Sequence, residues 1–128
     1  MLSAKTYPTD YVDACQARIE RQLNTLGSET AELRDEFLTN LVLALELHFV
    51  HRMRGNEGKN GNPLNEVRML AASICTSDGI LTADKTIKYN PDTSITGLAI
   101  GAPITLDPDQ VRKLADAFFT ELRNRYGE

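Results

Sequence analysis

Residues 29–54, ETAELRDEFLTNLVLALELHFVHRMR, carry the most regular pattern in this chain of 128 residues. Acidic residues crowd the start of the segment and basic residues crowd its end, which is the polarity that a helix dipole favours. From Leu41 to Val50 the apolar residues cover most sides of the expected helix, and such a helix is buried from several directions. We therefore predict a helix over 29–54 that is the centre of the domain or half of a dimer interface. Leu43 and Val50, on its outer side, should be covered by a second subunit or by the segment of residues 80–106.

Three further segments repeat apolar residues at steps of three and four, which predicts amphipathic helices over residues 10–26, 63–76 and 108–126. Asn62-Pro63 and Asp107-Pro108 are typical openings of a helix, and Phe118 in the last helix should lie in the core. Residues 80–106 lack a helical period and contain short alternating stretches, which favour strands. The expected fold is mainly α, a four-helix bundle-like single domain of residues 1–128 with a short β-hairpin-like insert before the last helix.

Composition excludes several classes of protein. A hydrophobic content of 41% with a net charge of −4 is that of a globular protein, and it argues against a protein that wraps nucleic acid. Two cysteines far apart in the chain predict neither a disulfide scaffold nor a metal site. The first ten residues lack the apolar core of a signal peptide, and no apolar stretch is long enough for a membrane span. A cytoplasmic location is therefore expected.

Polar residues interrupt the apolar surface near the end of the 29–54 helix. His48 falls in the middle of the apolar arc, and Arg52 lies one turn further on the same face. Since a buried charge without a partner is costly, Arg52 should meet either an internal acid, with Glu66 the nearest candidate in the next helix, or a bound anion. Residues 55–62, GNEGKNGN, predict a mobile surface loop above this place. The candidate ligand-binding residues are His48, His51, Arg52, Arg54, Lys59, Glu66 and Arg68.

These residues support two hypotheses of function. The first is a small binding or interaction protein, homodimeric, that accepts a small anionic ligand or a partner segment between the second and third predicted helices; arginines bind phosphate and carboxylate groups bidentately. The alternative is a small phosphodiester hydrolase, RNase-like, that uses His48 and His51 as acid or base beside Arg52. A purely structural interpretation makes His48 a core residue and the arginines partners of the helix end. No metal or cofactor is expected, because the chain has only two histidines and Arg52 would repel a cation.

Overall fold

The fold is mainly helical, as predicted. The computed structural model describes residues 3–128, and within that range the regular elements are five helices without a sheet. They are α1 (Thr9–Asn24), α2 (Ala31–His48), α3 (Arg54–Glu57), α4 (Pro63–Thr76) and α5 (Pro108–Tyr126). Over this described part of the chain, no helix has the length and apolar character needed to cross a membrane.

Both helices that open with proline begin where the sequence predicts them. The side chain of Asn62 accepts hydrogen bonds from the backbone N–H groups of Leu64 and Asn65 at the start of α4. Asp107 does the same for Gln110 at the start of α5, and in both helices the third residue bonds back to the backbone N–H of the capping residue. These capping boxes satisfy N–H groups that have no partner within the helix.

The second helix is shorter than the predicted 29–54 helix, because it ends at His48 rather than Arg54. The N-terminal segment pairs with the chain beyond that point: Ala4 donates to the carbonyl of His51 at 2.7 Å and accepts from the N–H of Met53 at 2.8 Å. A backbone that bonds to a distant segment cannot continue the helical ladder. The helical period of residues 49–54 is therefore overridden by a tertiary contact.

Residues 80–106 precede the last helix as predicted, but they do not form the predicted β-hairpin. Among the described residues this segment contributes one isolated antiparallel bridge, between Ile80 and Pro103, and otherwise folds into turns. The side-chain oxygens of Asp84 and Asn90 accept from the backbone N–H groups two residues further on, at 2.8 and 3.0 Å. Such local bonds give the backbone an alternative to a strand ladder.

Residues 55–62, which their composition predicts to be a loop, begin within a short helix. Arg54–Glu57 form the short α3, and the side-chain amide of Asn62 donates to the carbonyl of Glu57 at 2.7 Å. Gly61 has φ +85°, and a Cβ atom added there would lie 2.3 Å from the carbonyl oxygen of Lys88. Glycine here permits a left-handed conformation and a close approach of two backbones.

The core lies where α2 and α5 meet, since each of these helices contacts all the other long helices, and α1 and α4 flank them. Phe118 is completely buried, as predicted. The ring of Phe49, just past the end of α2, packs edge-on against Tyr7 with centroids 4.9 Å apart, and it also contacts Phe118 and Phe119. Phe49, the residue after α2, therefore lies deep in the core, and Arg52, three residues further on, is buried beside it.

Candidate functional site

Arg52 is buried, with 2% of its surface exposed, and it is fully engaged by partners within the chain. Its guanidinium donates from Nε to Glu57 at 3.0 Å and from Nη2 to Glu46 at 2.9 Å. Two further bonds reach the carbonyl oxygens of Phe49 at 3.1 Å and Leu64 at 3.0 Å. The partner of Arg52 is thus an internal acid, one of the two possibilities predicted, but the acids are Glu57 and Glu46 rather than Glu66.

Arg68 completes what we call the charge cluster, which comprises Glu46, Arg52, Glu57 and Arg68. The guanidinium of Arg68 lies 2.5 Å from Glu57 and 3.5 Å from Glu46. Asn65 donates to the second oxygen of Glu57 at 2.7 Å. Two arginines therefore face two carboxylates, and the formal charges balance.

Burial and ion pairing act in opposite directions on the two acids of the cluster. Burial alone raises the pKa of the Glu57 carboxyl, but the hydrogen bonds from Arg68 and the charge of Arg52 outweigh it, so the pKa lies below its usual value. For Glu46, burial prevails over the attraction of both arginines, and its pKa is raised. Among the described residues, every buried side-chain nitrogen and oxygen has a hydrogen-bond partner. The cluster is therefore a satisfied internal network with no buried donor left over for an anion.

Glu66, the acid expected beside Arg52, instead holds the turn at residues 94–98. Its carboxylate accepts from the backbone N–H groups of Ile95 and Thr96 at 2.8 and 2.9 Å, and from the Thr96 hydroxyl at 2.7 Å. The residue is 2% exposed. Three hydrogen bonds thus satisfy a buried carboxylate without a cation.

The other candidate residues lie outside the charge cluster. His48 bonds through Nδ1 to the carbonyl of its own helix residue Ala44 at 2.7 Å, and its ring lines a shallow groove beside Tyr11 on α1. His51, Arg54 and Lys59 are exposed. Arg54 approaches Glu57 only at 4.0 Å. The structure thus brings together Arg52 and Arg68 but separates them from His48.

An apolar groove between α2 and α4 is the feature that sequence reasoning missed. We call it the α2–α4 groove; its volume is about 590 Å³, and Glu46 and Arg68 of the charge cluster contribute to its wall. Leu47 on its edge is 71% exposed, and Val50 is 39% exposed. The complete lining is Asn40, Leu43, Ala44, Glu46, Leu47, Val50, Arg68, Ala71, Ala72 and Cys75.

Part of this groove had a signal in the sequence. Leu43 and Val50 stand on the side of the helix opposite the main apolar arc, which marked them as residues needing cover. The α4 side of the groove had no such signal, because Ala71, Ala72 and Cys75 belong to an ordinary amphipathic helix until α4 is placed beside α2. In residues 3–128 no group of three or more His, Cys, Asp or Glu side chains is arranged to hold a metal ion.

No protein-family model matches the chain, and neither does any of the curated proteins or solved structures with which it was compared.

Proposed function

We propose that this protein is a small interaction protein that binds an amphipathic helix of a partner protein in the α2–α4 groove. One observation carries the proposal: a groove of about 590 Å³, lined mostly by apolar residues, lies open on the surface with Leu47 71% exposed at its edge. Large exposed apolar patches rimmed by polar residues mark interaction sites.

The lining of the groove favours a helix as the occupant. Its residues recur at helical spacing on both walls, at 40, 43, 44 and 47 on α2 and at 68, 71, 72 and 75 on α4. Two packed helices with such walls present a trough into which the ridge of a third helix fits. The small side chains of Ala44, Ala71 and Ala72 allow that helix to approach closely.

A small anionic ligand, the other form of the binding hypothesis, has weaker support. The arginines nearest the groove, Arg52 and Arg68, are engaged by Glu57 and Glu46. An anion placed there would meet two carboxylates as well as two guanidinium groups. The partner form of the hypothesis needs no free cation.

The phosphodiester hydrolase alternative also has weaker support. An acid–base pair and a charge-stabilising arginine must reach one substrate together. Arg52 is 2% exposed and bonded within the chain, whereas His51 is exposed on the surface and His48 lies beside Tyr11. These positions do not converge on one cleft.

A synthetic amphipathic helix, with leucines at one face and alternating lysines and glutamates elsewhere, tests the proposal. Cys75 lies in the groove and is exposed, whereas Cys15 is buried, so alkylation of Cys75 reports occupancy of the groove. We expect the peptide to bind by fluorescence anisotropy and to slow alkylation of Cys75. Leu47→Glu should weaken binding about tenfold or more, since burying a leucine contributes roughly 1.5–3 kcal/mol.

Ile100→Glu is the matched control, because Ile100 is also an exposed aliphatic residue, at 45%, but lies outside the groove. This variant should bind the peptide like the wild type. Peptide binding that leaves Cys75 equally reactive, or that Leu47→Glu does not weaken, would refute the proposed site. Protein concentrations for this test are kept where sedimentation shows a monomer.

A further inference from the structure

The outer face of α2 carries a seam of residues at heptad spacing. Positions 33, 40 and 47 are seven residues apart, as are positions 36 and 43. The apolar members include Leu33 and Leu47, which are 59% and 71% exposed; Val50, two residues past the end of the helix and 39% exposed, lines the same groove. In coiled coils such a seam faces another helix.

We propose that the helix bound in the α2–α4 groove is α2 of a second copy of this chain, running antiparallel to the first about a two-fold axis. This inference rests on the proposed function and names its partner. A two-fold interface uses the same patch on both subunits, so that patch must be complementary to itself. Here Leu43, Leu47 and Val50 form a ridge directly beside a trough lined by Ala71 and Ala72.

The distribution of charge selects the antiparallel orientation. Glu32, Asp35 and Glu36 are exposed at the start of α2, and His51 and Arg54 are exposed just beyond its end. Two antiparallel copies place the acidic start of one helix against the basic end of the other, whereas parallel copies oppose acid to acid. The charges that already line the groove, Glu46 and Arg68, pair with each other and with their cluster, so a second copy buries no unpaired charge there.

The extent of the groove sets the level of the two-fold axis. Its lining on the α2 side runs from Asn40 to Val50, so the midpoint lies level with Leu45. A two-fold axis at that level places Leu43 against Leu47 of the second copy, and Asn40 against Val50.

Sedimentation equilibrium across the micromolar to millimolar range tests the interface. We expect the wild type to form a dimer, and Leu47→Glu to weaken it about tenfold or more because the four central leucines lose their contact. Ile100→Glu should dimerise as the wild type does. Leu47 is mostly exposed, so the variant should keep the helical circular dichroism spectrum of the dilute wild type. A wild type that stays monomeric, or a Leu47→Glu dimer of unchanged strength, overturns the inference.

Disulfide trapping tests the orientation. In a Cys75→Ser background, the Leu43→Cys and Leu47→Cys variants are mixed and oxidised, while the buried Cys15 stays reduced. An antiparallel pair yields mainly the mixed disulfide between positions 43 and 47. Disulfides between two copies of position 47 would show a parallel pair and overturn the proposed arrangement.

The two proposals fail separately. If the wild type is monomeric but the synthetic helix still protects Cys75, the groove binds helices of another protein and the second copy is not the partner. If the rate of Cys75 alkylation neither rises when the protein is diluted nor falls when the peptide is added, the groove is not a helix-binding site. Both proposals then fail.

Discussion

Replacing Arg52 by alanine removes the centre of the charge cluster and should strongly destabilise the fold. The side chain makes hydrogen bonds to two carboxylates and two carbonyl groups, at 2.9 to 3.1 Å. Without it, Glu57 keeps Arg68 and Asn65, but Glu46 keeps only the contact of 3.5 Å with Arg68. Breaking a buried ion pair on one side costs about 3–5 kcal/mol, and we expect a loss of unfolding free energy in that range for Arg52→Ala.

Arg54→Ala is the matched control. The side chain is the same and lies two residues further on, but it is 52% exposed and only 4.0 Å from Glu57. Surface ion pairs of this kind contribute about 0–1 kcal/mol, so the stability of this variant should differ little from that of the wild type.

Denaturant titration followed by circular dichroism measures both variants, at concentrations where each is monomeric. A loss below about 1 kcal/mol for Arg52→Ala would refute the argument from burial, because it would place the guanidinium in contact with water. Melting temperature with and without phosphate supplies a second criterion. Since the donors of Arg52 are satisfied internally, phosphate should not raise the melting temperature; a rise seen in the wild type and lost in Arg52→Ala would restore the anion-binding hypothesis.

Three further predictions concern the core and the pH dependence. Phe118→Ala should lower the unfolding free energy by about 3–5 kcal/mol in a denaturant titration, because the ring is completely buried; a loss below about 1 kcal/mol would show that α5 packs differently. The lowered pKa of Glu57 gives stability that is present above its unfolded value near 4.5 and is lost as the pH falls through the folded value, so Glu57→Gln should flatten the acid side of the stability profile. The raised pKa of Glu46 has the opposite effect on stability. The stability that Glu46 contributes is present below about pH 4.5 and is lost as the pH rises through its folded pKa. Glu46→Gln should therefore flatten the stability profile above about pH 4.5. Unchanged profiles in the two variants would contradict these assignments.

Local chemistry explains which helix boundaries could be predicted from the sequence. Asn62-Pro63 and Asp107-Pro108 satisfy the first N–H groups from within a few residues, so the starts of α4 and α5 are visible in the chain itself. The end of α2 is set by Ala4, more than forty residues earlier in the sequence, and no local pattern indicates that pairing. Residues 80–106 contain alternating stretches that favour strands, but they are organised by side chains such as Asp84 and Asn90 that bond to nearby backbone N–H groups.

The charge cluster and the α2–α4 groove could be predicted only in part, because both depend on contacts between distant segments. Arg52 stood out as a charge on an apolar face, which identified a buried polar contact before any partner was known. Its main partner, Glu57, sits among glycines and asparagines whose composition predicts a mobile loop, and nothing in that composition shows that α3 folds inward. The α2–α4 groove is a property of two helices placed side by side, so its α4 wall could not be read from α4 alone.

The three hydrogen bonds of Glu66 connect the segment of residues 94–98 to α4, and we expect the two to open together. Amide hydrogens in irregular segments usually exchange with solvent quickly, because such segments open locally at little cost. The N–H groups of Ile95 and Thr96 can exchange only when they leave a carboxylate that is itself 2% exposed at the start of α4. Exchange at these two amides should therefore be as slow as in the helix that carries their acceptor, although Ile95 lies at the surface of the molecule and neither residue belongs to a helix or strand.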